Sequence, residues 1–228
     1  LEHPAPPRLS VTCLKSTQVS VTRQGFSVVY HEDMFDIRTH DNTAPAPGDL
    51  ELVQRFINLH EHAPDVDGDL PPSREMVEMF LRERELLEER TRFTEADHRE
   101  ALALRRALHA KVRARDGEPM PDRDVRVIDS AAQRAGLRPD FGGQRPSLVP
   151  SEKGVAGALG RLVASAFLAA LEGTWDELKA CAGPDCASVF YDRSKNHSGR
   201  WCSMSTCGNR AKVRAWRDRH RTKTRSRA

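Results

Sequence analysis

Cysteine is scarce in this chain, and its distribution is uneven. Five cysteines occur among 228 residues, and Cys13 is the only one outside the stretch from Cys181 to Cys207. A disulfide framework would be spread through a small secreted chain, so this pattern excludes that class. Long apolar runs are missing too. The longest weakly charged stretch, Val155 to Leu171, is interrupted by Gly157, Gly160, Arg161 and Ser165 and falls short of the roughly 18 residues a membrane span requires. Leu1 to Ser10 is proline-rich and lacks the basic-then-apolar order of a secretory signal. A cytoplasmic, reducing location is therefore expected. No internal repeat and no nucleophile motif is present, and no cluster of His, Asp and Glu accompanies the cysteines, so an enzyme is not expected. The pairs Glu61-His62 and Asp97-His98 read as solvated helix faces.

What is present is a constellation at the far end. Cys181-x4-Cys186 and Cys202-x4-Cys207 form two evenly spaced pairs, with Gly183-Pro184 and Met204-Ser205 where each knuckle needs its turn. Two paired thiolate knuckles can surround one tetrahedral Zn²⁺ at about 2.3 Å per bond. Four cysteines complete a closed site, so His197 is not needed as a ligand and no open position for catalysis is evident. Gly208 allows close backbone approach beside Cys207, and Asn209 is placed to hydrogen-bond a knuckle carbonyl or sulfur.

Charge divides the chain in the same place. From Arg193 to the end there are twelve Lys or Arg against Asp218 alone, so the segment carries +11 and residues 1–192 carry −8. Such polarity directs the C-terminal end at a polyanion. A helix is expected from Thr206 to about Arg221, with Cys207 near its origin. Arg210, Arg214, Arg217 and Arg221 fall at i, i+4, i+7 and i+11, a single stripe, and Lys212 is a further basic position of the same helix. Val213 and Trp216 lie on another side, where they are expected to pack on the finger while the arginines meet phosphates. Val189-Phe190-Tyr191 is strand-like, and Tyr191 and Trp201 read as part of the finger's small core rather than as base-stacking platforms.

The remainder reads as mainly α. Residues 1–48 are poorly ordered or peripheral, with one strand-like stretch at Phe26 to Tyr30. Asp49 is placed to cap a first helix carrying Leu50, Val53, Ile57 and His60 on one face. A second helix is expected over Ser73–Glu89 with Met76, Val77, Phe80 and Leu87 inward. A third starts at a Thr94–Asp97 capping box, repeats Ala101, Leu104, Leu108 and Val112, and stops at Gly117. A fourth, Asp122 to Ala135, buries Val125, Ile128, Ala132 and Ala135 before Gly136. Leu137–Phe141 and Pro146–Val149 flank Gly142-Gly143 as a small hairpin. A fifth helix, Gly154 to Glu172, bears Val155, Leu159, Leu162, Val163, Ala166, Phe167 and Ala170 at the centre of the core. Gly173 ends it, and a Thr174–Glu177 capping box opens a short helix, Trp175 to Lys179, that runs directly into Cys181. A finger docked on the helical domain is the consequence. The domains are thus 1–48, a helical domain 49–173, a finger 174–221 and a basic tail 222–228.

Cys202-Ser203-Met204-Ser205-Thr206-Cys207-Gly208-Asn209-Arg210-Ala211-Lys212, preceded by Phe190-Tyr191-Asp192-Arg193-Ser194 and Arg200-Trp201, resembles the CGNR zinc finger. The resemblance covers about Trp175 to Arg221. In bacteria that finger commonly follows an ABATE domain, a family of proposed stress-induced transcription regulators, which Asp49 to about Glu172 resembles in layout and in its Gly173-Thr174-Trp175 exit. The resemblance implies a mainly helical N-terminal domain, zinc on Cys181, Cys186, Cys202 and Cys207, and DNA binding by the finger. One departure is visible: where ABATE domains often open on an apolar-Asn-Thr stretch, this chain has Phe56-Ile57-Asn58-Leu59-His60.

These observations point to a DNA-binding transcriptional regulator whose helical domain senses a small-molecule or protein signal or pairs subunits as a homodimer. Two rivals use the same residues. One is a zinc-thiolate redox switch; the other is an RNA-binding finger, since phosphate affinity does not distinguish nucleic acids.

Overall fold

The computed structural model describes residues 12–14, 18–23, 26–31, 43–60, 71–114, 119–184 and 186–225, with backbone only for the strands before residue 32, for Asp218 and for 221–225. The chain divides into two compact units, Leu1–His40 and Asp41–Ala228. The first contains an antiparallel meander of β1 (Thr12–Leu14), β2 (Gln18–Arg23) and β3 (Phe26–His31), with Val19 opposite Tyr30 and Cys13 opposite Val19. The sequence marked only the third of these strands.

The second unit is mainly helical. Helix α1 (Leu50–Ile57) buries Leu50, Val53, Phe56 and Ile57. Asp49 occupies its N-cap position, but its backbone is itself helical (φ −69°, ψ −11°) and its carboxylate makes no cap hydrogen bond. A capping side chain needs an extended backbone to reach the first turn's N–H groups. The chain before α1 is held instead by Gln54, which is fully buried. Its Nε2 donates to Thr43 Oγ1 at 3.0 Å and to the Ala44 carbonyl at 3.2 Å, while its Oε1 accepts the Ala46 N–H at 2.7 Å. The helical unit therefore begins by Thr43, several residues ahead of its first helix.

Helix α2 (Arg74–Glu83) is capped by Ser73, whose hydroxyl accepts the Met76 N–H at 3.4 Å. It ends six residues before the expected Glu89, because Glu85 turns the chain through a left-handed φ of 54°. Leu87 still reaches the core from beyond the helix. Helix α3 (Glu95–Arg113) opens on the expected box: Thr94 Oγ1 accepts the Asp97 N–H at 3.3 Å and Asp97 Oδ2 accepts the Thr94 N–H at 2.7 Å. Its end at Arg113 precedes Gly117, which lies outside the described residues. Helix α4 (Asp122–Arg134) turns Ala131 and Asp124 inward; of the expected face, Ala135 just past its end is buried, Ile128 and Ala132 are half-buried and Val125 is exposed. Strands β4 (Leu137–Asp140) and β5 (Ser147–Pro150) pair around Gly142-Gly143 as expected. Gly136 and Gly173, at φ of 57° and 78°, make the two left-handed exits from α4 and α5.

Helix α5 (Gly154–Leu171) is the central element, packed against α1, α4 and the β4–β5 hairpin. Leu159, Leu162 and Val163 are buried along it, whereas Phe167 and Leu171 are exposed, so the apolar stripe is narrower than the pattern suggests. With 18 residues and a mean hydropathy of 1.7, α5 is long and apolar enough to cross a membrane by length and composition. The sequence expectation that this stretch falls short is corrected: its small residues interrupt side-chain bulk without adding enough polarity. Leu104 and Leu108 of α3, Phe80 and Leu81 of α2, and Phe56 of α1 complete the core, with the Phe56 and Phe80 rings 5.9 Å apart. Truncating any one of these buried leucines to Ala costs about 2–5 kcal/mol.

Candidate metal centre and basic helix

The finger starts where α5 ends, without a linker. The expected Trp175–Lys179 helix does not form. Thr174–Glu177 is a single 3₁₀ turn that buries Trp175, and the chain then straightens into β6 (Leu178–Ala180). Thr174 Oγ1 donates to the Ala169 carbonyl at 3.2 Å, and the Glu177 carboxylate turns to the His197 imidazole rather than closing a box. Strand β6 pairs antiparallel with β7 (Val189–Tyr191), Lys179 opposite Phe190 and Ala180 opposite Val189. The first knuckle is the connection between these strands. The Cys181 N–H donates to the Ser188 carbonyl at 2.9 Å, extending the ladder, and the Cys186 N–H donates to the Gly183 carbonyl at 3.2 Å. A Cβ on Gly183 would lie 3.0 Å from that of Cys186 and 3.5 Å from the sulfurs of Cys181 and Cys207.

The second knuckle is a π-turn, Met204–Gly208, capped by Ser203, whose Oγ accepts the Thr206 N–H at 3.3 Å. The Gly208 N–H donates back to the Ser203 carbonyl at 3.0 Å. Gly208 is buried, and a Cβ there would meet the Met204 sulfur at 2.9 Å. Asn209 Nδ2 donates to the Ser205 carbonyl at 3.0 Å, tying the first residue of α6 (Asn209–Arg225) to the turn. The two knuckles are joined by the Ala182 N–H on the Arg200 carbonyl at 2.8 Å.

This scaffold gathers the sulfurs of Cys181, Cys186, Cys202 and Cys207 within 4.8 Å of one another. Cys186 and Cys202 are 3.7 Å apart and Cys202 and Cys207 3.6 Å apart, too far for a disulfide bond of about 2.05 Å. A tetrahedron with bonds of about 2.3 Å has its corners about 3.8 Å apart. The four free thiols therefore fit one tetrahedral ion. Backbone N–H groups of Gly183 and Cys202 each lie 3.4 Å from the Cys181 sulfur, as suits an anionic ligand. Without a cation the four sulfurs cannot all be thiolates, because like charges this close raise one another's pKa. A hydrogen bond with the Cys202 thiol lowers the Cys186 pKa to about 4, a shift that outweighs the opposing effect of burial. The same hydrogen bond, followed by burial and the Cys186 charge, pushes Cys202 far up; burial and then Cys186 raise Cys207 to about 12.

A second cluster braces the finger. Asp192, 4 % exposed, follows β7. Its carboxylate accepts Lys179 Nζ at 2.5 Å, the Ser194 N–H at 3.0 Å and the Gly199 N–H at 2.7 Å. Burial alone would raise the Asp192 pKa, but Lys179 and the two backbone donors hold it well below the usual carboxylate range. A Cβ on Gly199 would stand 2.8 Å from this carboxylate, so only glycine allows the approach. Sequence reasoning missed Asp192 and Lys179, although Asp192-x-Ser194 is an Asx-turn pattern. Phe190 is buried, while Tyr191 and Trp201 are half-buried beneath the guanidinium groups of Arg193 and Arg200, at 5.6 and 5.4 Å.

Helix α6 presents Arg210, Lys212, Arg214 and Arg217 to solvent. The first, third and fourth share one face by spacing, and Lys212 lies off it. Arg221 continues the row in the backbone, but its side chain lies outside those described. Val213 and Trp216 do not pack on the finger as expected: they are 48 % and 54 % exposed. Beyond the π-turn, α6 has no substantial packing partner among the described elements.

The arrangement defines a class: a helical domain closed directly onto a four-thiol metal finger that launches a solvent-exposed basic helix. Residues 177–220 match the family model of the CGNR zinc finger, and residues 41–174 match that of ABATE, described as "Putative stress-induced transcription regulator". The second match spans more than half of the chain, which belongs to the ABATE family and carries a CGNR zinc finger at its C-terminal end. The comparison with curated proteins returned no match.

Proposed function

We propose that the protein is a DNA-binding transcriptional regulator in which Zn²⁺ on Cys181, Cys186, Cys202 and Cys207 fixes the origin of α6, and Arg210, Lys212, Arg214, Arg217 and Arg221 contact the phosphate backbone. The observation that carries this reading is the position of the four-thiol cluster at the root of an exposed helix whose segment carries +11. Zinc suits an all-thiolate tetrahedron and has no redox chemistry of its own, so its contribution is geometric. The protein acts as a binding module, not an enzyme, in the cytoplasm, with residues 43–174 as its signal-receiving or subunit-pairing part. An open groove of about 380 Å³ between α3 and α4, lined by Leu104, Ala131, Arg126 and Arg134 among others, is a candidate place for a signal to bind among the described residues.

The test is duplex binding by the metal-loaded full chain, followed by fluorescence anisotropy in competition with RNA of equal length and at equal salt. Tight duplex binding that RNA does not outcompete supports the reading. A preference for RNA, or no affinity for either, overturns it.

A further inference from the structure

Two faces of α6 carry basic residues, and between them runs a face that is neither basic nor covered. At about 100° per residue, Arg210, Arg214 and Arg217 form one row and Lys212 and Arg219 another. Val213, Trp216 and His220 form a third row, centred roughly 90° from each basic row. All three of its residues are exposed. The Trp216 and His220 rings lie 4.1 Å apart, tilted by 30°, and His220 Nδ1 lies 2.8 Å from the Trp216 carbonyl oxygen. The segment's only acid, Asp218, falls by register on the side of the helix away from this row. Val213, Trp216 and His220 together make a contiguous exposed strip rimmed by charge, the kind of patch that marks an interaction site. The charges on either side select what can cover it: another α6 would be repelled by both flanking rows, while a groove walled by phosphates on both sides complements them.

We infer that Val213, Trp216 and His220 are the base-reading edge of α6, seated in the major groove of duplex DNA with the two basic rows straddling the groove on opposite phosphate strands. This rests on the proposed DNA-binding function and adds which face enters the groove. Dimensions choose the groove. An α-helix with side chains is about 10–12 Å across, matching the major groove of about 12 Å and not the minor groove of about 6 Å. The deep, narrow major groove of A-form RNA does not admit it. The chemistry chooses what is read. Val213 and Trp216 offer apolar contact, whose counterpart on a major-groove base edge is the thymine methyl group, and His220 offers a ring nitrogen to a neighbouring base edge. Seventeen residues give α6 a length of about 25 Å, enough to lie along several base pairs.

The test begins by selecting preferred sites from a randomised duplex library with the metal-loaded full chain. Affinities for the selected duplex and for a scrambled duplex are then measured at one salt concentration for the wild type, Trp216→Ala and Trp216→Phe, and again with thymine replaced by uracil in the selected site. Trp216 is exposed, so its replacement leaves the finger intact, and metal content verifies this. The expected result is a selected-over-scrambled ratio at least tenfold lower in Trp216→Ala, scrambled-duplex affinity within twofold of wild type, partial recovery in Trp216→Phe, and loss of preference on uracil substitution. An unchanged ratio, or an equal fall on both duplexes, overturns this inference and leaves the proposed function standing. Absence of any duplex binding by the wild type overturns both.

Discussion

The side-chain amide of Asn58 pairs with the backbone of Val189 in both directions, Nδ2 donating to the carbonyl at 2.9 Å and Oδ1 accepting the N–H at 2.7 Å. Asn58 is the C-cap of α1 and Val189 opens β7, so this amide acts as one rung of a sheet supplied by the helical domain. Arg193 Nη2 adds a second tie, donating to the Pro45 carbonyl at 2.6 Å. The finger is therefore docked on the elements that surround the start of the helical domain. Replacing Asn58 by Ala removes both bonds and leaves the strand groups unpaired, a loss of about 1–3 kcal/mol. Thermal unfolding would show a lower Tm, and amide exchange at Val189 would accelerate. Unchanged protection of that amide would contradict the role given to Asn58.

The metal site yields a pH prediction. With Cys202 held protonated and Cys207 raised to about 12, at least these two thiols carry protons at neutral pH before an ion binds. Cys186, lowered to about 4, is already a thiolate. Metal binding then releases at least two protons near neutrality, so affinity rises with pH by at least about two logarithmic units per pH unit. Competition with a chromophoric chelator across pH 6 to 8 measures the slope. Cys202→Ser should lower the affinity by several orders of magnitude and loosen the π-turn that begins α6.

Asp192 supplies a stability prediction with a definite sign. Its folded pKa lies below its unfolded value, so its contribution is present above about pH 4, the ordinary carboxylate value, and is lost as pH falls through the folded value. Asp192→Asn leaves Lys179 with a weakened partner in a largely buried pair and costs about 3 kcal/mol at pH 7. The gap from wild type should shrink in denaturant titrations repeated at progressively lower pH. Gly199→Ala, whose Cβ has no room against the carboxylate, should reproduce part of the loss.

Local signals were legible in the sequence wherever a structural outcome depends on neighbouring residues. The Thr94–Asp97 box, the Gly142-Gly143 hairpin and the two cysteine pairs each carry their instruction within a few positions, and each formed as expected. Outcomes decided by distant partners were not legible. Thr174 and Glu177 look like a capping box, but β6 gains a ladder with β7 and the turn remains a single 3₁₀ turn. Asn58 meets Val189 across 131 positions, which no local pattern announces. Phe167 and Val125 fit helical periodicity, yet the partner elements cover narrower faces and both stay exposed. On α6, Val213 and Trp216 look like packing residues only while a packing surface is assumed; the finger's small core is filled without them.

The central claim is that a metal-anchored helix meets a polyanion through its arginine row. The most direct measurement is the affinity of the metal-loaded full chain for duplex DNA as a function of salt, for wild type and for the combined Arg210→Ala, Arg214→Ala and Arg217→Ala variant. The account predicts a linear fall of log affinity with log salt, weaker binding by the variant, and a slope shallower by about three. A salt-independent affinity, or a variant with the wild-type slope, would contradict it.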